Sequence, residues 1–363
     1  MLYYTTDMRS LAVKNILSTS SPVLVTGHTG FKGTWLVLLL KKLGIPVIGF
    51  SLSPEPTSLY TRLNLAGSFP EDFSDIRDLE KLERFILLHK PSVIFHLAAQ
   101  PLVLKSYENP KYTFDVNVNG TLNIFEATFK TDFVKAIIAV STDKVYKNDN
   151  NEKIFSEDDP LEGKDPYSAS KVAMESAICA WQNLQKIQGG PKIISVRAGN
   201  VIGGGDFADN RLIPDLIRAF LSNEVANIRN PRSKRPWQHV LEPLTGYILA
   251  AEKILENNDI PAINLGPSKM GLKVIDVVEV AKKILSIEAK HSDLPGEKVV
   301  LESESLFLNS QKAIDELNWR NVWTPEISIE KTISWWKKIL VDKENPITVT
   351  NKDIIDYLEN FNP

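Results

Sequence analysis

With 363 residues, 43% of them apolar, the chain can bury one large core or two moderate ones, and two lobes is the expected arrangement. Against 45 Asp and Glu stand 42 Lys and Arg, a formal charge of −3, so no global basic field marks nucleic acid or an anionic membrane as the main partner. The single cysteine, Cys179, excludes an intramolecular disulfide and argues against a cysteine-built metal site; no metal is expected.

No apolar run approaches the roughly 20 residues that span a bilayer. Residues 1–20 lack the basic start and apolar stretch of a signal peptide, so a cytoplasmic protein is expected. The first strong pattern is Val23 to Gly33. A short apolar run is followed by Gly27, Gly30 and Gly33 in GxxGxxG spacing and then by an apolar helical stretch, Thr34 to Leu43. Strand, tight turn and helix in that order make a seat for a dinucleotide: glycine lets the backbone turn and approach a pyrophosphate, which sits on the helix N-terminus. Pro46 to Phe50 reads as the second strand. Ser51 follows it, where dinucleotide folds often carry an acid for the ribose 2′-OH, so NAD and NADP are not separated here.

Asp78 is a candidate N-cap for a helix to about His89, and Val93 to Leu97 is a buried strand that ends in the small residues Ala98 and Ala99, then Gln100. A helix is predicted from Asp115 to Phe129, carrying Asn117 and Asn123, each either solvated or placed for a hydrogen bond. Val134 to Val140 forms the next strand, ending in Ser141, Thr142, Asp143 and Lys144, polar groups at the strand end where α/β sheets place their chemistry.

An acidic, polar loop from Lys147 to Asp165 leads to a helix from Pro166 toward Gln188. Tyr167 and Lys171 share one face of it, four residues apart. Such a pair is common on surfaces, but after a nucleotide seat and a Ser-Thr strand end it has a chemical use. An ammonium near the phenol favours phenolate, so the tyrosine can take a proton from an alcohol.

Ile193 to Arg197 is a strand, Asn200 lies in the glycine-rich loop beyond it, and a helix from Leu212 to Leu221 and a strand from Val225 to Arg229 follow. Arg232, Lys234 and Arg235 beside Trp237 could bind a diphosphate or be a solvated basic loop; His239 reads as a hydrogen-bonded structural histidine. Helices are predicted over Leu244–Leu255, Val274–Leu285 and Ile327–Lys338, a strand over Ala262–Leu265, with Trp335 and Trp336 in packing, and the stretch from Asp342 is expected to be peripheral.

The alternation argues an α/β fold, a Rossmann-type doubly wound parallel sheet with a smaller mixed C-terminal substrate-binding lobe. TGHTGFKG at Thr26–Gly33, HLAAQP at His96–Pro101, STDKVY at Ser141–Tyr146, YSASK at Tyr167–Lys171 and RAGNVIGGGD at Arg197–Asp206 make the chain resemble, over nearly its whole length, the extended short-chain dehydrogenase/reductases of the NAD-dependent epimerase/dehydratase family. With RPWQHVLEPL at Arg235–Leu244, the resemblance is greatest to the CDP-glucose 4,6-dehydratases.

It implies a dinucleotide-binding domain over 1–198, completed by about 240–267, with 199–239 and 268–363 forming the substrate lobe. It implies NAD as cofactor, CDP-glucose as substrate, oxidation at C4, loss of water across C5 and C6, and reduction at C6. By resemblance, Gly27, Thr29, Gly30, Phe31, Lys32, Gly33, Asp75, Ile76, Leu97, Ala98, Ala99, Asn117, Tyr167 and Lys171 hold the cofactor.

Gln100, Asn200, Arg211, Arg235 and His239 are the implied substrate contacts. Tyr167, Lys171 and Thr142 act on the 4-OH, Asp143 is the acid for the departing 6-OH, and Lys144 is either a lysine base or a charged partner of the enolate. Relatives pair as dimers through helices equivalent to Asp115–Phe129 and Tyr167–Gln188, so a homodimer or higher oligomer is expected. A 4-epimerase, a dehydratase acting on another sugar nucleotide, or an idle NAD(P)-binding relative remain open.

Overall fold

In a computed structural model, residues 21–149, 153–228, 230–269, 271–287, 290–293 and 306–362 are described. Residues 1–20, read above for a leader, lie outside them, as do 150–152 of the acidic loop and Arg229 of a predicted strand.

Seven strands build the main sheet: β1 Val23–Thr26, β2 Val47–Ser51, β3 Glu71–Phe73, β4 Val93–His96, β5 Ala136–Val140, β6 Lys192–Ala198 and β7 Ala262–Leu265. Their spatial order is β7-β6-β5-β4-β1-β2-β3, and every pairing is parallel. Thr26 pairs with Phe50 on one side and His96 on the other, so β1 lies where the strand order reverses. Such a reversal opens the crevice in which α/β sheets take ligands.

Strand side chains alternate between two cores. Val23, Val25, Val93, Phe95, Ile138 and Val196 pack on the face covered by helices Phe31–Lys42 and Leu241–Leu255. Leu24, Ile48, Phe50, Ile94, Ile137 and Ile193 pack on the face covered by Leu79–His89, Gly120–Phe129 and Pro166–Gln188.

Asp78 caps its helix by accepting Lys81 N–H, as expected. The helix predicted from Asp115 is different: the chain is already helical over Pro110–Phe114, passes through a π-turn over Asp115–Asn119, and resumes as α-helix to Phe129. The extra residue in a π-turn is set by contacts from outside the helix, which no local pattern encodes.

Three short parallel pairs lie beyond the sheet: Gln238–His239 with Val201–Ile202, His291–Asp293 with Ala226–Ile228, and Phe307–Leu308 with Ile154–Phe155. The stretch from Asp342 is not peripheral. It forms helix Pro346–Leu358, whose Val349, Ile354, Tyr357 and Leu358 are buried, and the Tyr357 hydroxyl donates to Glu242 at 2.9 Å. The Glu242 carboxylate also accepts Trp323 N–H at 2.7 Å and Val322 N–H at 3.1 Å, so it sits where three segments close. Trp335 and Trp336 are packed as expected, the Trp335 indole N–H donating to Thr350 at 3.0 Å. Among the described residues no helix is long and apolar enough to cross a membrane.

Candidate active site

The turn after β1 places Gly27 at φ +71, where a Cβ would stand 2.9 Å from the backbone nitrogen of Ala98. Only glycine fits that approach. The following helix, Phe31–Lys42, begins at Gly30 with no side-chain cap and no acid in its first turn. Its bare N–H groups and positive dipole end suit a pyrophosphate, so the residues present fit a dinucleotide.

Thr29 Oγ1 donates to Leu52 O at 3.0 Å, so at 2.8 Å it takes a proton from Ser51. That hydroxyl pair occupies the end of β2. The His28 imidazole lies beside Gly49, with Nε2 3.0 Å from Glu71. At the end of β4, the N–H groups of Leu97 and Ala98 converge on Thr26 Oγ1 at 3.1 and 3.2 Å, leaving half-buried Leu97, Ala98 and Ala99 along the crevice.

The helix carrying Tyr167 and Lys171 starts at Pro166 because Asp165 caps it: Oδ1 accepts Tyr167 and Ser168 N–H at 2.9 and 3.0 Å, and Ser168 Oγ accepts Asp165 N–H in return. That cap aims Tyr167 and Lys171 at the end of β5. There Thr142 caps a single 3₁₀ turn over Asp143–Val145, accepting Lys144 N–H at 3.3 Å, and its hydroxyl donates to Asp143 Oδ1 at 3.1 Å.

Burial pushes the Tyr167 phenol up to about 12, with Thr142 and the field of Arg211 acting the other way. Lys171 Nζ donates to Val140 O at 3.0 Å and lies 3.3 Å from Met174 Sδ; burial lowers it to about 8. Burial also raises the Asp143 carboxyl, with Lys144, Thr142 and Lys32 acting the other way. A carboxyl biased toward its protonated form is suited to giving a proton to a departing hydroxyl.

Lys32 enters the same cluster. Its Nζ lies 3.3 Å from the Tyr247 hydroxyl, and burial, with the nearby cations Arg211 and Lys171, lowers it to about 8. Arg211 begins helix Leu212–Leu221 and pairs with buried Asp206.

Asn117, lifted by the π-turn, accepts Gln100 N–H at 2.8 Å and donates to Gln100 O and to Ser170, the neighbour of Lys171, at 3.2 and 2.9 Å. Asn123 donates to Ile76 O at 3.0 Å, and half-buried Asp75 is bound to Arg77.

Two of the expected substrate contacts, Gln100 and His239, stand differently. Gln100 is bonded within its own loop: its amide donates to Leu102 O and Thr113 Oγ1 and accepts Leu102 N–H. His239 is fully buried between Trp35 and Trp323 and accepts Leu241 N–H, so it braces the first helix against the C-terminal segment and offers no face to a substrate. Arg235 is half-buried, its backbone N–H donating to Leu272 O. Asn200 is half-buried next to Gly199, where a Cβ would meet Asp143 Oδ2 at 2.8 Å.

Residues 23–266 match the model of the NAD dependent epimerase/dehydratase family. The chain belongs to that family. It is 38% identical over 348 residues to a CDP-glucose 4,6-dehydratase of Salmonella typhimurium, covering 93% of this chain and 96% of that one. It is 27% identical to a dTDP-glucose 4,6-dehydratase of Xanthomonas campestris, over 86% of this chain and 92% of that one. Its fold superposes on the UDP-glucose 4-epimerase of Thermotoga maritima with a TM-score of 0.76 and 25% identity, covering 88% of this chain and 99% of that one.

In this candidate site, sequence reasoning missed Tyr247 and Glu175. Glu175 follows Tyr167 and Lys171 at the same four-residue step, a spacing that marks it. Tyr247 carries no local signal; only the packing of helix Leu241–Leu255 on the first helix brings it to Lys32.

Proposed function

We propose that the chain is a CDP-glucose 4,6-dehydratase that uses NAD and forms CDP-4-keto-6-deoxyglucose and water. The observation that favours a dehydratase over a 4-epimerase is Asp143, buried and biased toward protonation beside Thr142 and Tyr167, because an epimerase has no departing hydroxyl to protonate. The choice of CDP rests on the similarity to the Salmonella enzyme. Bound NAD⁺ supplies the oxidation of C4 and the return of the same electrons to C6, so no cofactor is consumed.

The chain supplies the rest. Tyr167, bridged by Thr142 and kept near a charged Lys171, takes the 4-OH proton. The resulting ketone acidifies the hydrogen at C5, the carbon next to it. Lys144 is assigned to that carbon, and Asp143 protonates the oxygen leaving C6. Asn200 and Arg211 border the cluster and are assigned to the sugar diphosphate, together with Arg235. The helical stretches Asp115–Phe129 and Tyr167–Gln188 are assigned to a homodimer contact, and the protein to the cytoplasm.

The test is mass spectrometry of products after incubation with NAD⁺ and, separately, CDP-glucose, dTDP-glucose, UDP-glucose and UDP-N-acetylglucosamine. Loss of one water from CDP-glucose alone is expected. Loss from another nucleotide would correct the base, and unchanged masses in every tube would overturn the dehydratase reading.

A further inference from the structure

Lys171 must stay an ammonium to support a phenolate on Tyr167, yet it is only 4% exposed, and burial works against its charge. One turn further along the same helix, Glu175 is 6% exposed and ionised. Burial opposes that ionisation as well, but Arg197 outweighs it, with Ser195 assisting, and leaves the carboxyl below its usual range.

The clamp is bidentate: Arg197 Nε donates to Oε1 at 2.9 Å and Nη2 to Oε2 at 3.0 Å, while Ser195 Oγ donates to Oε1 at 2.7 Å. Arg197 is itself fixed, Nη1 reaching the Tyr146 hydroxyl at 2.8 Å and Glu157 O at 3.1 Å.

The other charged or titratable groups around Lys171 act differently. His96 on β4 is neutral. Thr26 Oγ1 accepts from Leu97 and Ala98, so its own proton goes to His96 Nδ1, and Nε2–H donates to Thr121, whose proton goes to Asn117 O at 2.8 Å. Burial takes that imidazole down to about 3. Lys32 on the first helix is a like charge, and Tyr167 is the group to be served. Glu175 is the neighbour that raises Lys171.

We propose that Glu175, held by Arg197, is a positioning residue for the reaction: its carboxylate keeps Lys171 a cation so that Lys171 can hold Tyr167 as the base. The proposal rests on the roles given to Tyr167 and Lys171 above. No partner outside the chain is needed, since Glu175 and Arg197 are both buried.

Two variants separate this role from a merely structural one. Glu175→Gln removes the carboxylate and leaves Arg197 as an unbalanced cation; Arg197→Met leaves the carboxylate unbalanced. Both weaken the fold, but they act on Lys171 in opposite directions. With Glu175→Gln the alkaline limb of the kcat profile moves down by about one pH unit, the scale of a close opposite charge. With Arg197→Met it moves up.

The same titration is read without turnover by NMR of protein labelled at the lysine ε-carbon, with Lys171 assigned by its loss in Lys171→Met. A Lys171 that titrates at the parent pH in Glu175→Gln, or shifts the same way in both variants, overturns the proposal. If Glu175→Gln fails to fold, Arg197→Met and Glu175→Asp decide it: an upward shift in the first and a parent-like titration in the second are expected. A parent protein that makes no product from any sugar nucleotide would sink the functional reading while the NMR titration still judges this one.

Discussion

The carbonyl oxygen of Val140 accepts Lys171 Nζ at 3.0 Å, so the ammonium proposed to serve Tyr167 also pins helix Pro166–Gln188 to the last residue of β5. Replacing it removes a charge and a fastening together. Lys171→Met should lower kcat by about 10²-fold or more. It should also cost about 1–3 kcal/mol for the stranded carbonyl, read as a fall in Tm beside the rate.

Thr142 reaches both Tyr167 and Asp143. Thr142 acts against the burial that sets the phenol high, so Thr142→Val should raise the Tyr167 pKa further. The acid limb of kcat/KM should therefore move to higher pH. A limb that stays in place would remove Thr142 from the proton path.

Asp143 and Lys144 stand after the oxidation step in the proposed sequence. Asp143→Asn and Lys144→Met should each retain C4 oxidation, seen as enzyme-bound nicotinamide absorbance under single turnover, and lose water release. Lys144→Met should in addition suppress solvent deuterium at C5, while Asp143→Asn should permit it.

Glu242 supplies a pH signature remote from the chemistry. Burial raises its carboxyl from 4.5 to about 7, against the donors from Trp323, Tyr357 and Val322. An unfolded chain ionises this group from about pH 4.5, while the folded chain keeps its proton until about 7, so rising pH favours the unfolded state across that window. The lost stability is about 3 kcal/mol between those limits, with Asp353, raised to about 6 by burial, adding the same sign. Glu242→Gln should flatten the fall of Tm with pH across the window, and a slope equal to the parent's would contradict this.

What could be read in advance was what lies in one stretch of chain. Strand, turn and helix from Val23 to Lys42, and the capped helix carrying Tyr167 and Lys171, follow from short-range patterns and appear as expected. The π-turn at Asp115–Asn119, the self-bonded Gln100 and the buried His239 depend on neighbours far along the chain. Helix Pro346–Leu358 looked peripheral because its apolar residues are diluted by polar ones; Thr350 and Asp353 are nonetheless buried in the packing with Tyr357. The orientation of Lys171 toward Val140 was equally hidden, since spacing shows a shared face but not where a flexible side chain ends.

The carboxylate of Glu242 has a donor, Tyr357, that lies 115 residues further along the chain. During synthesis the sheet and the nucleotide seat leave the ribosome long before that hydroxyl does. Helix Leu241–Leu255, which brings Tyr247 to Lys32, therefore waits with an open seam until helix Pro346–Leu358 arrives. A message cut short near codon 345 would yield a chain holding every residue assigned to the chemistry and still lacking the stitch that seats one wall of the site.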